Sequence, residues 1–289
     1  MSVHPEGVKK LLASDLLKMK NDGKKISMIT AYSYPQGMIV DEAGIDIILV
    51  GDSLGMVELG YIDTVPVTMD EMLSHTKAVT RAVKRAHVVG DLPFMSYNIS
   101  TEQAVTNAGI LYQQGRSDSI KFEGGQDFAP ICSAITKAGI PVFGHIGLTP
   151  QTAATMGGFK VQGKSLDAAK AVLDDALALQ DAGAFAVILE AIPQQLAQII
   201  TEKLDIVTVG IGGGPHCDGQ VLVFHDMLGM FKRFTPKFVK VYGQMFDTQV
   251  ELVKEFISDV EGESFPGPEH SFNMKADMVG ELKKALGVE

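Results

Sequence analysis

The chain has no tryptophan and only two cysteines, Cys132 and Cys217, among 289 residues. Two cysteines outside any CxxC pair build neither a disulfide framework nor a thiolate zinc site, and their scarcity fits a reducing compartment. No apolar run approaches the roughly 20 residues of a membrane span, and the N-terminus lacks the apolar core of a secretory signal. The expected location is therefore the cytoplasm. Basic residues are in the minority, 25 against 35 acidic ones for a formal net charge of −10, and they form no long cluster. That excludes an extended nucleic-acid surface and leaves small molecules as the expected partners, with no membrane involved. No Pro/Ser-rich linker or charge run divides the sequence, so residues 1–289 read as a single domain. Asn98-Ile99-Ser100 has the form of a glycosylation acceptor, but without a secretory route it reads as a chance match.

What the chain does have is 46% hydrophobic content, arranged as short β-branched runs alternating with longer amphipathic ones. The pattern predicts strands near 26–31, 45–51, 88–92, 118–123, 141–146, 185–190, 206–211 and 221–225. Helical spacing falls near 35–43, 70–86, 101–114, 127–138, 165–182 and 193–203. Residues 1–24 form an N-terminal helical extension, with Val8, Leu11, Leu12, Leu16, Leu17 and Met19 at helical spacing over 8–21. Residues 236–260 look like further helix, and 273–289 is a weakly determined tail. Alternating strands and helices imply parallel pairing with right-handed crossovers, and eight such units in roughly 250 residues predict an α/β fold, a (β/α)8 TIM barrel. An open doubly wound sheet is the other reading. Against it, Gly210-Ile211-Gly212-Gly213-Gly214 runs into Pro215 and lacks the third glycine and helix of a dinucleotide fingerprint.

Several strands end on charge. Ile45 to Val50 is apolar apart from Asp46 and stops at Gly51-Asp52-Ser53, Val88-Val89-Gly90 stops at Asp91, Ile120-Lys121-Phe122 stops at Glu123, and Phe185 to Leu189 stops at Glu190. In a barrel these ends share the C-terminal rim, where active sites of this fold are built. Gathered carboxylates suit a hard cation such as Mg2+, which takes oxygen ligands and keeps positions for water or substrate; separate solvated rim residues or helix caps are the alternative. Alternation puts Lys121 on the same side as Glu123, either to meet a substrate carboxylate or as a structural ion pair. Glu190 reads as a proton acceptor, a further ligand or a helix cap. His145, near the end of the fifth strand, and His225, near the end of the eighth, are site candidates or satisfied core histidines. The glycine-rich 157–163 segment is a candidate mobile cover.

Seven segments carry a resemblance: VGDSLG at 50–55, VTMDEM at 67–72, DLPFMSY at 91–97, KFEGG at 121–125, GHIGLTPQ at 144–151, GGFKVQG at 157–163 and DGQVLVFHD at 218–226. Together, and in this order, they resemble the ketopantoate hydroxymethyltransferase family, from about residue 8 to PGPEHSF at 266–272. The resemblance implies a (β/α)8 fold, a homo-oligomer of decamer size, and Mg2+ as cofactor. It implies transfer of a hydroxymethyl group from 5,10-methylenetetrahydrofolate to 3-methyl-2-oxobutanoate in pantothenate biosynthesis. It further implies a metal site at Asp52, Asp91 and Glu123, substrate binding by Asp52, Ser53, Asp91 and Lys121, and Glu190 as the catalytic proton acceptor. Two positions depart from the family's pattern: Ser33 stands where an aspartate is common, and Asp63 lies one position later than usual. The second reading is a Mg2+-dependent C–C lyase or mutase of the isocitrate lyase and phosphoenolpyruvate mutase type. It ranks lower because neither cysteine lies in a reactive-cysteine motif of the lyases.

Overall fold

Each apolar run expected to be a strand pairs with the next in the computed structural model, which describes residues 7–288. The order is α1 (Ala13–Asn21), β1 (Ile26–Thr30), α2 (Tyr34–Glu42), β2 (Ile47–Val50), the single turn α3 (Leu54–Val57), α4 (Met69–Ala82), β3 (His87–Asp91), α5 (Thr101–Gly109) and β4 (Ser119–Glu123). Then come α6 (Ala129–Lys137), β5 (Val142–Gly147), α7 (Leu166–Asp181), β6 (Ala186–Glu190), α8 (Gln194–Lys203), β7 (Val207–Ile211) and β8 (Gly219–Leu222). All eight strands are parallel and in chain order, and β8 closes on β1, which makes the (β/α)8 barrel that the alternation predicts.

Local chemistry starts the helices where the sequence places them. Thr68 and Glu71 form a capping box on α4, with Glu71 N–H on the Thr68 hydroxyl at 3.3 Å and Thr68 N–H on the Glu71 carboxylate at 2.7 Å. Ser33, Ser100 and Ser165 cap α2, α5 and α7 in the same one-sided manner. Ser33 accepts from Gln36 N–H, a role that an aspartate fills equally well, so this departure from the family's pattern keeps the cap.

Two apolar layers result from strand alternation. Side chains facing outward, such as Ile48, Val88, Phe122 and Leu189, pack against the helices, while Met28, Ile47, Leu49, Val89, Phe143 and Ile188 fill the barrel. Leu16 and Met19 of α1 join the inner layer and close its N-terminal end. The opposite end is left to polar side chains.

Several boundaries differ from the sequence pattern: the leading helix expected over 8–21 begins only at Ala13, its first residues being non-helical. The helix after β3 keeps α geometry only to Gly109 and finishes in a π-helical turn, Ile110–Gln114. Strand β8 stops at Leu222, because Phe224 N–H turns away to the Thr30 hydroxyl at 2.9 Å and the chain enters the short helix α9 (Phe224–Met227). His225 therefore sits on a helix and not at a strand end. The helix expected over 236–260 is α10 (Met245–Glu261), and the tail carries α11 (Ala276–Leu286); no residue of either is buried. Among the described residues no helix is long and apolar enough to cross a membrane.

Leu16 is fully buried beneath the barrel, far along the strands from the rim. Leu16→Ala is expected to cost about 3 kcal/mol through lost transfer energy and a residual cavity. Urea unfolding measures the loss, and an unchanged midpoint would contradict the plug role of α1.

Candidate active site

Because side chains alternate, the inward positions at the strand ends are Asp91 of β3, Lys121 and Glu123 of β4, His145 of β5 and Glu190 of β6. Register then sets the neighbours: Asp91 lies opposite Lys121, Glu123 opposite His145, and Gly147 opposite Glu190. Gly147 has φ +90°, and any Cβ there would collide with the Glu190 carbonyl oxygen, so only glycine lets β5 and β6 end this close together. Ala191 follows Glu190 with φ +47°, a left-handed conformation that costs a non-glycine residue roughly 1 kcal/mol and turns the chain sharply after the carboxylate.

Lys121, 3% exposed, is the electrostatic centre. Its Nζ donates to both Asp91 oxygens at 2.8 and 2.9 Å and lies 3.7 Å from Glu123 Oε1. Asp52, just beyond β2, reaches this group by donating its backbone N–H to Asp91 Oδ2 at 3.1 Å. His145 stands between two carboxylates, its Nδ1 3.4 Å from Glu123 Oε1 and its Nε2 3.1 Å from Glu190 Oε2. Neither pair meets hydrogen-bond geometry, so these are charge contacts.

Burial and the neighbouring Asp91 charge push the Asp52 carboxyl well above the usual carboxylate range. Burial likewise raises Asp91, against the pull of Lys121. Burial also acts to raise Glu123, but His145 and Lys121 outweigh it and leave that carboxyl lowered. For His145, burial and Lys121 disfavour protonation, yet Glu123 and Glu190 prevail and raise it to about 9. Four carboxyl groups thus stand against one lysine and one histidine, an excess of acidic groups in a buried site.

That excess, and the atoms that carry it, fit a hard divalent cation. Glu123 Oε1 is buried without a hydrogen-bond partner, and Asp52 Oδ1 receives no hydrogen bond from the described residues. Among those residues no three His, Cys, Asp or Glu side chains converge into a ready-made metal cage. A few oxygen donors with room for water or substrate oxygens is what Mg2+ prefers.

The structure gathers Asp52, Asp91, Lys121, Glu123, His145 and Glu190. Ser53 lies at the edge, its hydroxyl 2.8 Å from the Tyr32 hydroxyl. His225 is separate in its partners: it stacks on Tyr32 and its Nε2 is 3.3 Å from Glu58 Oε1. Asp63 accepts from Val65 N–H at 3.0 Å in an exposed loop turn, and so belongs to the loop and not to the site. Segment 157–163 is anchored beside β6, with Gln162 N–H on the Ala191 carbonyl at 2.9 Å and Phe159 62% exposed. Two site residues escaped the sequence reading. Tyr97 and Gln151 end the DLPFMSY and GHIGLTPQ segments and are buried in the centre of the site. Being uncharged, they gave no signal beyond their place in those segments.

The model of the ketopantoate hydroxymethyltransferase family matches residues 10–268. This chain belongs to that family. The 3-methyl-2-oxobutanoate hydroxymethyltransferase of Acetivibrio thermocellus is 53% identical over 275 residues, covering 95% of this chain and 97% of its relative. The enzyme of the same name from Moorella thermoacetica is 54% identical over 257 residues, covering 89% and 96%. Solved structures similar in fold include a phosphonopyruvate hydrolase with oxalate and Mg2+, at 12% identity and TM-score 0.57 over 95% of this chain and 99% of that one. A 2,3-dimethylmalate lyase of the phosphoenolpyruvate mutase/isocitrate lyase superfamily aligns at 12% identity and TM-score 0.55, covering 95% and 96%. At such identities the likeness speaks for the barrel alone. The hydroxymethyltransferase family thus accounts for the motifs, and the barrel for their convergence.

Replacing Lys121 by Met keeps the bulk but strands Asp91, Asp52 and Glu123 without their ammonium, at an expected cost of about 3–5 kcal/mol. The folded-state pKa values of Asp52 and Asp91, already above 3.8, would rise further. A raised folded pKa gives stability that is present below the unfolded value and lost as pH rises through the folded one. Lys121→Met should therefore be penalised more at pH 8 than at pH 5. Denaturant titrations of both proteins at the two pH values test this, and an equal penalty would speak against Lys121 as the balancing charge.

Proposed function

We propose that this chain transfers a hydroxymethyl group from 5,10-methylenetetrahydrofolate to 3-methyl-2-oxobutanoate, giving 2-dehydropantoate (ketopantoate) in pantothenate biosynthesis. The observation that carries the reading is the unequal restraint of the rim carboxylates. Asp52, Asp91 and Glu123 accept hydrogen bonds from Gln151, Lys121 and the backbone, whereas Glu190 is met only by His145 among the described residues and keeps 14% of its side chain open. Held carboxylates suit binding, and a loosely held one suits proton transfer.

Asp52, Asp91 and Glu123 would hold Mg2+, which when bound withdraws charge from the keto group of the oxo acid and so acidifies its C3–H bond. Asp52, Ser53, Asp91 and Lys121 would line the substrate, with the Lys121 ammonium facing the acid's own carboxylate. Glu190 takes the C3 proton. His145, 3.1 Å from Glu190, orients that carboxylate and offsets the charges of Glu190 and Glu123. The electron pair left at C3 attacks the methylene carbon carried by the folate as an iminium-like electrophile. Water then replaces the folate nitrogen at that carbon, the C–O bond forming as the C–N bond breaks and the proton of water passing to the nitrogen, which releases tetrahydrofolate and leaves the hydroxymethyl product. Segment 157–163 would cover the site during these steps.

Two broader features agree with this assignment. Both cysteines are free and buried, which suits a reducing cytoplasm. Apolar side chains exposed on α10, among them Phe246, Val253, Phe256 and Ile257, suit a homo-oligomer. The lyase reading gains no support from the thiols, since burial pushes Cys132 to about 12 on the far side of the barrel wall.

Glu190→Gln keeps the size of the side chain but cannot take a proton. It should still bind Mg2+ and 3-methyl-2-oxobutanoate while exchange of the C3 hydrogen with D2O, followed by NMR without folate, slows by at least ~100-fold. Exchange at the wild-type rate would move the base elsewhere, and lost metal binding would make Glu190 a ligand. Asp52→Ala should weaken Mg2+ by more than about 10-fold in calorimetry, since it deletes a charged oxygen from a site with few. Unaltered affinity would remove Asp52 from the metal site.

A further inference from the structure

Gln151 makes four hydrogen bonds at the rim, although it carries no charge. It sits in the 3-10 turn Pro150–Thr152 that follows β5, and it is 3% exposed. Its backbone N–H donates to Glu123 Oε2 at 3.0 Å. The two protons of its side-chain amide go to Asp52 Oδ2 at 2.9 Å and to the Leu92 carbonyl at 3.0 Å. Its Oε1 accepts from the Tyr97 hydroxyl at 2.6 Å. One residue thereby ties together the ends of β2, β3 and β4.

The orientation of the amide follows from its neighbours. The Tyr97 oxygen accepts Glu123 N–H at 3.2 Å, and its own proton faces two acceptors, the Glu123 carbonyl at 3.2 Å and Gln151 Oε1 at the much shorter 2.6 Å. With the oxygen of Gln151 fixed on Tyr97, the amide nitrogen must face Asp52.

The consequence lies in what is left over. Gln151 satisfies Oδ2 of Asp52 and Oε2 of Glu123; among the described residues the other oxygen of each carboxylate takes no hydrogen bond, Oε1 of Glu123 having only the longer charge contacts to His145 at 3.4 Å and Lys121 at 3.7 Å. A lysine or arginine in this place would satisfy the same atoms but would cancel the negative charge that attracts a cation. An amide fixes the two carboxylates against their mutual repulsion and leaves that charge intact.

We propose that Gln151, oriented by Tyr97, is a positioning residue of the cation site: it holds one oxygen of Asp52 and one of Glu123 so that the opposite oxygens are presented to a divalent ion. The inference rests on the assignment of Asp52 and Glu123 to that ion. Gln151→Met preserves shape and removes the amide, and the readout is Mg2+ affinity by calorimetry with no substrate present, alongside a thermal melt. The variant should bind Mg2+ about 10- to 100-fold more weakly. Its turnover should recover toward the wild-type kcat as Mg2+ is raised, a recovery that general damage to the fold would not give. Tyr97→Phe, which leaves the amide free to rotate, should show the same defect in a milder form, and it carries the test if Gln151→Met folds poorly. Wild-type Mg2+ affinity in folded Gln151→Met, or in Tyr97→Phe where only that variant folds, overturns the proposal and leaves the metal assignment standing. If the wild-type chain itself binds no Mg2+, both fall.

Discussion

Buried negative charge at the C-terminal rim is the constraint on which the other features of this molecule depend. Asp52, Asp91 and Glu123 are removed from water beside one another, and burial alone would force them toward the neutral form. Lys121 compensates for part of this through two short bonds to Asp91, and His145 for another part through Glu123 and Glu190. The remainder meets no further cationic side chain among the described residues. The cation proposed for this site would answer that remainder, and the buried Glu123 Oε1, which takes no hydrogen bond, is one of the atoms it would meet.

The barrel makes the arrangement possible by treating its two ends differently. Below, Leu16 and Met19 of α1 join Met28, Ile47, Phe143 and Ile188 in an apolar filling that excludes water and supports the strands from within. Above, the same inward positions one or two steps along β3 to β6 carry charge. Strand register fixes the pairs, and the glycine at 147 allows the closest of them, so the groups are held by backbone ladders and not by flexible loops. Stability and chemistry therefore draw on opposite ends of one set of strands.

Much of this was legible from the residues. Eight apolar runs, four of them stopping at a carboxylate, with amphipathic segments between most of them, are a local signal, because strand and helix periodicities act over a few residues. The acidic ends at 52, 91, 123 and 190 and the histidine at 145 stood out for the same reason. Departures occurred where distant contacts overruled local pattern. Strand β8 stops early because Phe224 N–H finds the Thr30 hydroxyl almost two hundred residues away in the chain. His225 is thereby carried into a stack on Tyr32 and a contact with Glu58.

By itself, then, the sequence determined the kind of fold, the family, and which side chains of formal charge stand at strand ends. The fold and the charged ends are set by composition and spacing along the chain, and the family by the resemblance that seven ordered segments carry. Only the tertiary structure decided how the charges divide: that Lys121 belongs chiefly to Asp91, that His145 bridges Glu123 and Glu190, and that Gln151 and Tyr97 join strands separated by dozens of residues. A hydrogen bond depends on distances of a few tenths of an ångström between groups whose separation in sequence carries no such information. For the uncharged pair the sequence showed only a glutamine and a tyrosine near two loops, and folding alone turned them into the link between two carboxylates.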